Sequence, residues 1–489
     1  MNVLYPYDQT MFPRGIPSPT IQWNGTNSTD IYNIKITSPG LELDSWATVP
    51  VPARYHLPTL PLDVWKALTN SNLGAVTVSI QRFDGSQAYL PVTRTWNIAG
   101  ANLAGTVYYW EVNQGNVVRL NVGDTAPQNF IQKPPGRTCV ACHSLSANGQ
   151  RLVASFDGGW SPWATFDPAS GGLIYSSETS SGFEAISPDG QYVLSKHWVD
   201  GSFNSAGYLS LSPYNSTTEL AQLNPGGGAP AHPRWSVDGK KIAFAVRTDG
   251  NGLDFNHSTL WMTDVDLTSF TFSNTHQIVA NDGARPTVTF PSFTPDSKWV
   301  VFERSTQARS RGAQSDLAIS NTDGSVVMPL AQANGTGFLQ GAEASANYEP
   351  TVMPIAAGGY FWVVMVSERT YDNTLTDTNP GSRTKQLWVF AVDANPTPGV
   401  DPSHPPFWLP GQELTNQNMR GEWALAPCKS EGTSCAAGYD CCSGFCIDSG
   451  NGPVCAPPQT CSGLNDACTS DANCCDSKWS CVGGFCTDL

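Results

Sequence analysis

The chain has 489 residues, a formal charge of -15 at pH 7 and only 14% charged side chains, against 45 Gly, 37 Pro, 16 Trp, 15 Tyr and 20 Phe. That length exceeds one compact core, and the Gly, Pro and aromatic content is that of short strands and many turns rather than long helices. An acidic chain without a Lys/Arg cluster excludes nucleic acid and anionic membrane surfaces as partners, and its longest apolar run, Tyr360 to Val366, is far short of a membrane span.

Cysteine usage sets the compartment. Twelve of the 14 cysteines lie from Cys428 onward, a density that requires an oxidising environment. Met1 to Asp8 has neither a charged n-region nor an apolar h-region, so the chain reads as a processed or trimmed form of an exported protein, periplasmic or extracellular. Sequons at Asn24, Asn27, Asn215, Asn256 and Asn334 agree with export.

Residues 1–124 are expected to form a β-sandwich. Alternating runs occur at Thr20 to Trp23, Tyr32 to Thr37, Ala75 to Arg82 and Thr106 to Val112, separated by Pro, Gly and Asn clusters. One helical pattern, Leu62 to Asn70, puts Val64, Trp65 and Leu68 on an apolar face. Trp23 followed by Tyr32-Asn33-Ile34-Lys35-Ile36 resembles the start of a fibronectin type III or immunoglobulin-like module. For this region a packing or spacer role is the expectation.

Beyond Pro134-Pro135-Gly136, Cys139-Val140-Ala141-Cys142-His143 reads C-x-x-C-H. Two thiols at that spacing can each form a thioether to a porphyrin vinyl group, and His143 would then be the proximal iron ligand of one covalent haem c. A Cys139–Cys142 disulfide, or a metal shared with a distant partner, are the competing readings.

The same region repeats. Leu145 to Ala154, with Asn148-Gly149 at its centre, aligns with Ile186 to Leu194 around Asp189-Gly190. It aligns again with Trp235 to Phe244 around Asp238-Gly239, and with Phe293 to Phe302 around Asp296-Ser297; Met353 to Val364 is a degenerate fifth copy. Each reads as strand, tight turn, strand, with Asn-Gly or Asp-Gly supplying the positive φ of the turn, and such recurrence means propeller blades. The S-P-D-G pattern is similar to that of TolB-like (PD40) propeller repeats, which implies a propeller over residues 125–427. A sixth blade, from Glu422 to Leu425 and Val117 to Leu120, would close the ring.

The motif departs from ordinary cytochromes c, where it opens a helical domain; here it runs into the first blade. Trp160, Trp163 and Trp198 are candidate walls for a haem, or plain blade packing. The distal ligand has no motif. His197, His232, His276, His404, Met353 and Met365 are candidates, and Met419, in a polar loop before the closing strand, is the expected one. Asp249 to Asp254 has oxygens spaced rather like a calcium loop but is too short for an EF-hand. No G-x-S-x-G, H-E-x-x-H or phosphate loop supports hydrolysis.

The tail holds two six-cysteine units, 428–457 and 458–489. Their pattern, including the adjacent Cys441-Cys442 and Cys474-Cys475, resembles the knottin family. That resemblance implies first-to-fourth, second-to-fifth and third-to-sixth pairing: Cys428 with Cys442, Cys435 with Cys446, Cys441 with Cys455, then Cys461 with Cys475, Cys468 with Cys481 and Cys474 with Cys486. Units this short need disulfides in place of a core.

The whole resembles a group of secreted bacterial proteins that join a sandwich, a TolB-like propeller with an embedded C-x-x-C-H, and a Cys-rich tail. That likeness implies an extracytoplasmic monohaem c-type cytochrome passing electrons to a redox partner protein, an electron carrier rather than a catalyst. A haem-free adhesion or interaction protein binding a cell-surface ligand, and a haem peroxidase-like enzyme, are the alternatives.

Overall fold

The computed structural model describes all residues except 26, 61, 72, 104, 160–161, 197–206, 310–311, 376–382, 426–428, 430, 436–440, 442–444, 449, 451, 457–473, 475–478, 483–484 and 489. The fold is all-β, and no helix among the described residues is long and apolar enough to cross a membrane.

Two sheets make the N-terminal sandwich. Val3–Tyr5, Ile21–Trp23 and Ala53–Tyr55 form a three-stranded sheet. Opposite it, in sheet order, run Met11–Arg14, Val92–Asn102, Gly74–Phe83, Ile31–Ser38 and Leu41–Thr48, the first pair parallel. The period-2 runs explain the layers: Tyr32, Ile34 and Ile36 on one strand, and Val76, Val78 and Ile80 on another, are buried while their neighbours are not. The expected helix forms at Val64–Ser71 and buries Val64, Trp65 and Leu68.

Six four-stranded sheets follow. The first blade is Val140–Leu145, Leu152–Phe156, Pro162–Phe166 and Leu173–Ser180; the second is Ala185–Ile186, Tyr192–Lys196, Leu209–Pro213 and Ala221–Leu223. The third is Ala229–Trp235, Lys241–Arg247, Ser258–Asp266 and Thr271–Val279, and the fourth is Thr287–Phe293, Trp299–Ser305, Ser315–Asn321 and Val327–Pro329. In the fifth, Asn347–Ala357, Tyr360–Ser367, Gln386–Asp393 and Phe407–Trp408 run outward. The sixth takes its innermost strand, Asn418–Ala424, from the chain end and the rest, Thr106–Glu111, Asn116–Asn121 and Gln128–Ile131, from before the first blade. Each innermost strand touches the next, the sixth returning to the first, so the ring is a closed six-bladed propeller with no open edge at its seam.

This pairing corrects the expected boundary at residue 124. The alternation of Thr106 to Val112 predicts a sandwich strand, but Thr106–Glu111 pairs with Asn418–Ala424 and belongs to the propeller. The sandwich ends with Val92–Asn102 and stays joined to the propeller by one apolar core, in which Phe12 and Trp96 share a cluster with Trp362, Phe407 and Trp423. Asn373 locks the join by donating to the carbonyls of Trp23 and Ala53.

In the tail, disulfides join Cys435 to Cys446, Cys441 to Cys455 and Cys474 to Cys486, each a pair of the knottin pattern. Cys481 is also disulfide-bonded. The remaining expected pairs involve Cys428, Cys442, Cys461, Cys468 and Cys475, which lie outside the described residues.

Candidate functional site at the propeller channel

Each innermost strand carries, within it or, for Phe183, just before it, one non-glycine residue in the left-handed region: Cys142 (φ 52°), Phe183 (59°), His232 (47°), Phe290 (47°), Glu349 (49°) and Arg420 (52°). Register shifts at Ala141/Ser144, Ala231/Arg234, Thr289/Ser292, Tyr348/Thr351 and Met419/Glu422 mark β-bulges there. A side-chain-bearing residue at positive φ costs about 1–3 kcal/mol, and a bulge re-aims a side chain, so this sixfold recurrence reads as a built ring.

The ring has two sectors. Phe183, His232 and Phe290 pack together, with centroids 4.4 Å apart for Phe183–His232 and 5.2 Å for Phe183–Phe290. His232 stacks on Phe290 at 4.2 Å. Cys139, Ala141 and Cys142 share an apolar cluster with Phe183, Phe290 and Leu253, and Trp110 packs against it. The opposite sector is charged: the Arg420 guanidinium lies 5.3 Å from the Phe183 and Phe290 rings and meets buried Glu349 electrostatically.

Cys139 and Cys142 are both buried, free thiols. Burial pushes Cys142 up to about 12, with the nearby Glu184 carboxylate adding to the rise, so the thiol stays protonated at neutral pH. Glu184 is itself 1% exposed and pushed up to about 7 by burial. Among the described residues, the grouping close enough to share a metal ion is Cys435, Cys441 and Cys446 in the tail, and those three are in disulfides.

His143 is fully buried on the innermost strand of the first blade, and its Nε2 lies 3.1 Å from the Tyr108 carbonyl oxygen of the sixth blade. Nδ1 is buried without a hydrogen-bond partner. Burial holds the imidazole down to about 4, which keeps it neutral.

Deeper in the channel, Arg234 Nη1 of the third blade donates to both Glu422 oxygens of the sixth at 2.7 and 2.8 Å, and Arg420 Nη2 lies 3.3 Å from Oε1. At the turn end, a small cavity of about 30 Å³ takes one apolar residue from each blade: Leu145, Ile186, Trp235, Phe293, Val352 and Trp423.

Other expected site residues fall elsewhere. Met419 is corrected as a candidate iron ligand: it packs against the apolar core shared by the sandwich and the fifth blade, and its neighbour Arg420 approaches His143, with Nε 3.4 Å from the His143 carbonyl oxygen. Met353 and Met365 are core residues, His276 Nδ1 sits on the Asn274 carbonyl, and His404 Nε2 is 3.0 Å from Asp393 Oδ1. Trp163 is packed between the first two blades, while Trp160, His197 and Trp198 lie outside the described residues. The Asp249–Asp254 loop spends its oxygens on its own backbone, Asn251 Oδ1 accepting from Leu253 and Asp254 and Asp249 Oδ1 from Asn256 and His257.

A c-type haem can be tested against these residues. Two protonated thiols in one aromatic cluster suit thioether attachment, and Arg420, with Arg309 near enough to influence Cys142 electrostatically, suits the two porphyrin carboxylates. The motif histidine does not suit the iron: its Nε2 is committed to a carbonyl between two blades, and its ring is fully buried.

No family model matches the chain, and no curated protein matches it. Among solved structures it is similar to a putative TolB from Agrobacterium tumefaciens, at 17% identity and TM-score 0.35, covering 66% of this chain and 94% of that one. It is also similar to Kuenenia stuttgartiensis hydrazine synthase, at 14% identity and TM-score 0.37, covering 54% of this chain and 73% of that one. Likenesses this distant carry no argument about function, and the six-bladed architecture rests on the strand pairing itself.

Proposed function

We propose that the protein is an extracytoplasmic electron carrier, with one c-type haem joined by thioethers to Cys139 and Cys142 at the mouth of a propeller channel. The observation that carries this reading is the contrast between two sets of cysteines. Those described in the tail are disulfide-bonded, as an oxidising compartment demands, whereas Cys139 and Cys142 are free thiols in one apolar cluster with Phe183 and Phe290. Bound haem would supply one-electron chemistry, and the chain's part is to hold it in an apolar sector beside the Arg420 cation. The acidic surface suits a basic redox partner.

The test is the intact mass of protein exported by a host that matures c-type cytochromes. One added haem, and colour that survives acid-acetone extraction, are expected. An unmodified mass with a Cys139–Cys142 disulfide would overturn the proposal and leave the haem-free interaction protein, a reading that the close packing of Phe183, His232 and Phe290 across the channel favours.

A further inference from the structure

Beyond electron transfer, and without requiring haem, we propose that the protein holds a neutral oligosaccharide in the cleft between the sandwich and the sixth blade. The cleft has a volume of about 700 Å³, within the range of about 300–1,000 Å³ typical of small-ligand sites. The helix Val64–Ser71 and the turn before it supply one part of its lining. The rest comes from Gly15 to Ser18, from Asn102, and from Gly123 and Thr125 in the loop between two strands of the sixth blade.

These walls are fixed before any ligand arrives. Trp65 is 4% exposed, and its indole N–H donates to the Ile16 carbonyl at 2.9 Å, while Arg14 Nε donates to the Thr69 carbonyl at 2.9 Å near the helix end. Gly15 and Gly123 both have positive φ, and a Cβ on Gly123 would come within 3.1 Å of the Gly15 carbonyl oxygen, so the sandwich and the sixth blade meet there backbone to backbone. Binding therefore costs little ordering of the site.

The lining selects the class of ligand. It carries one acid, Asp63, and one base, Lys66, so a ligand with net charge finds no matching excess of the opposite sign. Ile16, Leu57 and Trp65 give it an apolar floor, and the exposed residues Asn70 and Asn102 bring amides to it from the helix and from the end of Val92–Asn102. Among the described residues neither side-chain amide has a hydrogen-bond partner in the chain. An amide offers a donor and an acceptor side by side, which matches a hydroxyl that needs both. A sugar presents that combination, apolar C–H faces with hydroxyls around the ring edge. Lining residues run along the helix from Asp63 to Asn70, about 10 Å at 1.5 Å per residue, which is longer than one sugar ring and suits a chain of them.

The experiment uses the full exported chain and a panel of immobilised neutral hexasaccharides of glucose, mannose, galactose and N-acetylglucosamine, beside sulfated and uronic acid oligosaccharides. Binding to at least one neutral member is expected, and its Kd is then taken by isothermal titration. Asn70→Ala and Asn102→Ala are each expected to weaken that Kd about tenfold, the scale of one lost hydrogen bond. Trp46→Ala is expected to leave it unchanged; Trp46 is 66% exposed on the edge strand Leu41–Thr48 and is the competing surface for a stacked sugar. No neutral member bound, a preference for the charged oligosaccharides, or a Kd unmoved by both amide variants would each overturn the proposal, as would loss of binding in Trp46→Ala. The cleft lies outside the channel, so protein with and without haem on Cys139 and Cys142 is expected to bind equally, and the two readings fail separately.

Discussion

Glu422→Leu is expected to lower the unfolding free energy by about 3–5 kcal/mol, the range for removing one partner of a buried ion pair. Glu422 is 1% exposed and accepts both short hydrogen bonds of Arg234, with Arg420 as a third contact. Its loss leaves the Arg234 charge, on a side chain 16% exposed, without its carboxylate inside the channel. The pair joins the third blade to the sixth, and the sixth blade's innermost strand is the one that closes the ring, so the effect is expected on the cooperative unfolding of the whole propeller. Replacing both partners, as Arg234→Met with Glu422→Leu, is expected to recover part of the loss, because the Arg234 charge is no longer stranded and Arg420, which also meets Glu349, is the one cation left without Glu422. Urea unfolding of the two single variants and the double would check this. Single variants within about 0.5 kcal/mol of the parent would show that water reaches Arg234 and that the pair behaves as a surface one.

The propeller was legible because the turns are stereotyped. Asn148, Asp189, Asp238 and Asp296 each open a tight turn between two apolar runs, and that pattern needs only local chemistry. The same alignment held a further signal: Cys142, Phe183, His232 and Phe290 each stand six residues before their turn residue, so the repeat register makes them equivalent. Their composition disguises this, since a thiol, two phenyl rings and an imidazole have in common only the backbone conformation that directs them. That register sets His232 apart from the other candidate histidines, as the third-blade equivalent of Cys142.

The parts that were not legible depend on distant partners. Thr106–Glu111 alternates as a sandwich strand should, and nothing within it shows that its neighbour is Asn418–Ala424, some 300 residues away. The polar residues on both sides of Met419 point to a ligand position, but the bulge at Met419/Glu422 gives the channel position to Arg420 and leaves Met419 packed against the core that the sandwich shares. C-x-x-C-H specifies a covalent chemistry but not what its strand packs against, which here decides the fate of the His143 ring.

Between pH 6.5 and 8 the parent protein is expected to lose stability, and Glu303→Gln is expected to flatten that loss. Glu303 lies on the second strand of the fourth blade, 1% exposed. Oε2 accepts from the Glu349 backbone N–H at 3.0 Å, while Oε1 is buried without a hydrogen-bond partner. Burial pushes this carboxyl from 4.5 up to about 8, so the folded state holds a proton that the unfolded chain releases. With more protons bound when folded, stability falls as pH rises from 4.5 towards 8 and levels off above it. Glu184, pushed up to about 7, acts with the same sign and levels off sooner. His143, held down to about 4, acts oppositely, losing stability as pH falls below 6.5, so it masks the carboxylates on the acid side and leaves them exposed above it. One pKa unit corresponds to about 1.4 kcal/mol, so Glu303 alone should account for a loss on the order of 2 kcal/mol across the alkaline part of its window. Glutamine keeps an acceptor for the Glu349 N–H and removes the titration. Urea midpoints measured at pH 6.5, 7.5 and 8.5 should therefore diverge, the variant becoming the more stable protein as pH rises; parallel curves would mean that the Glu303 carboxyl titrates as an ordinary solvated acid.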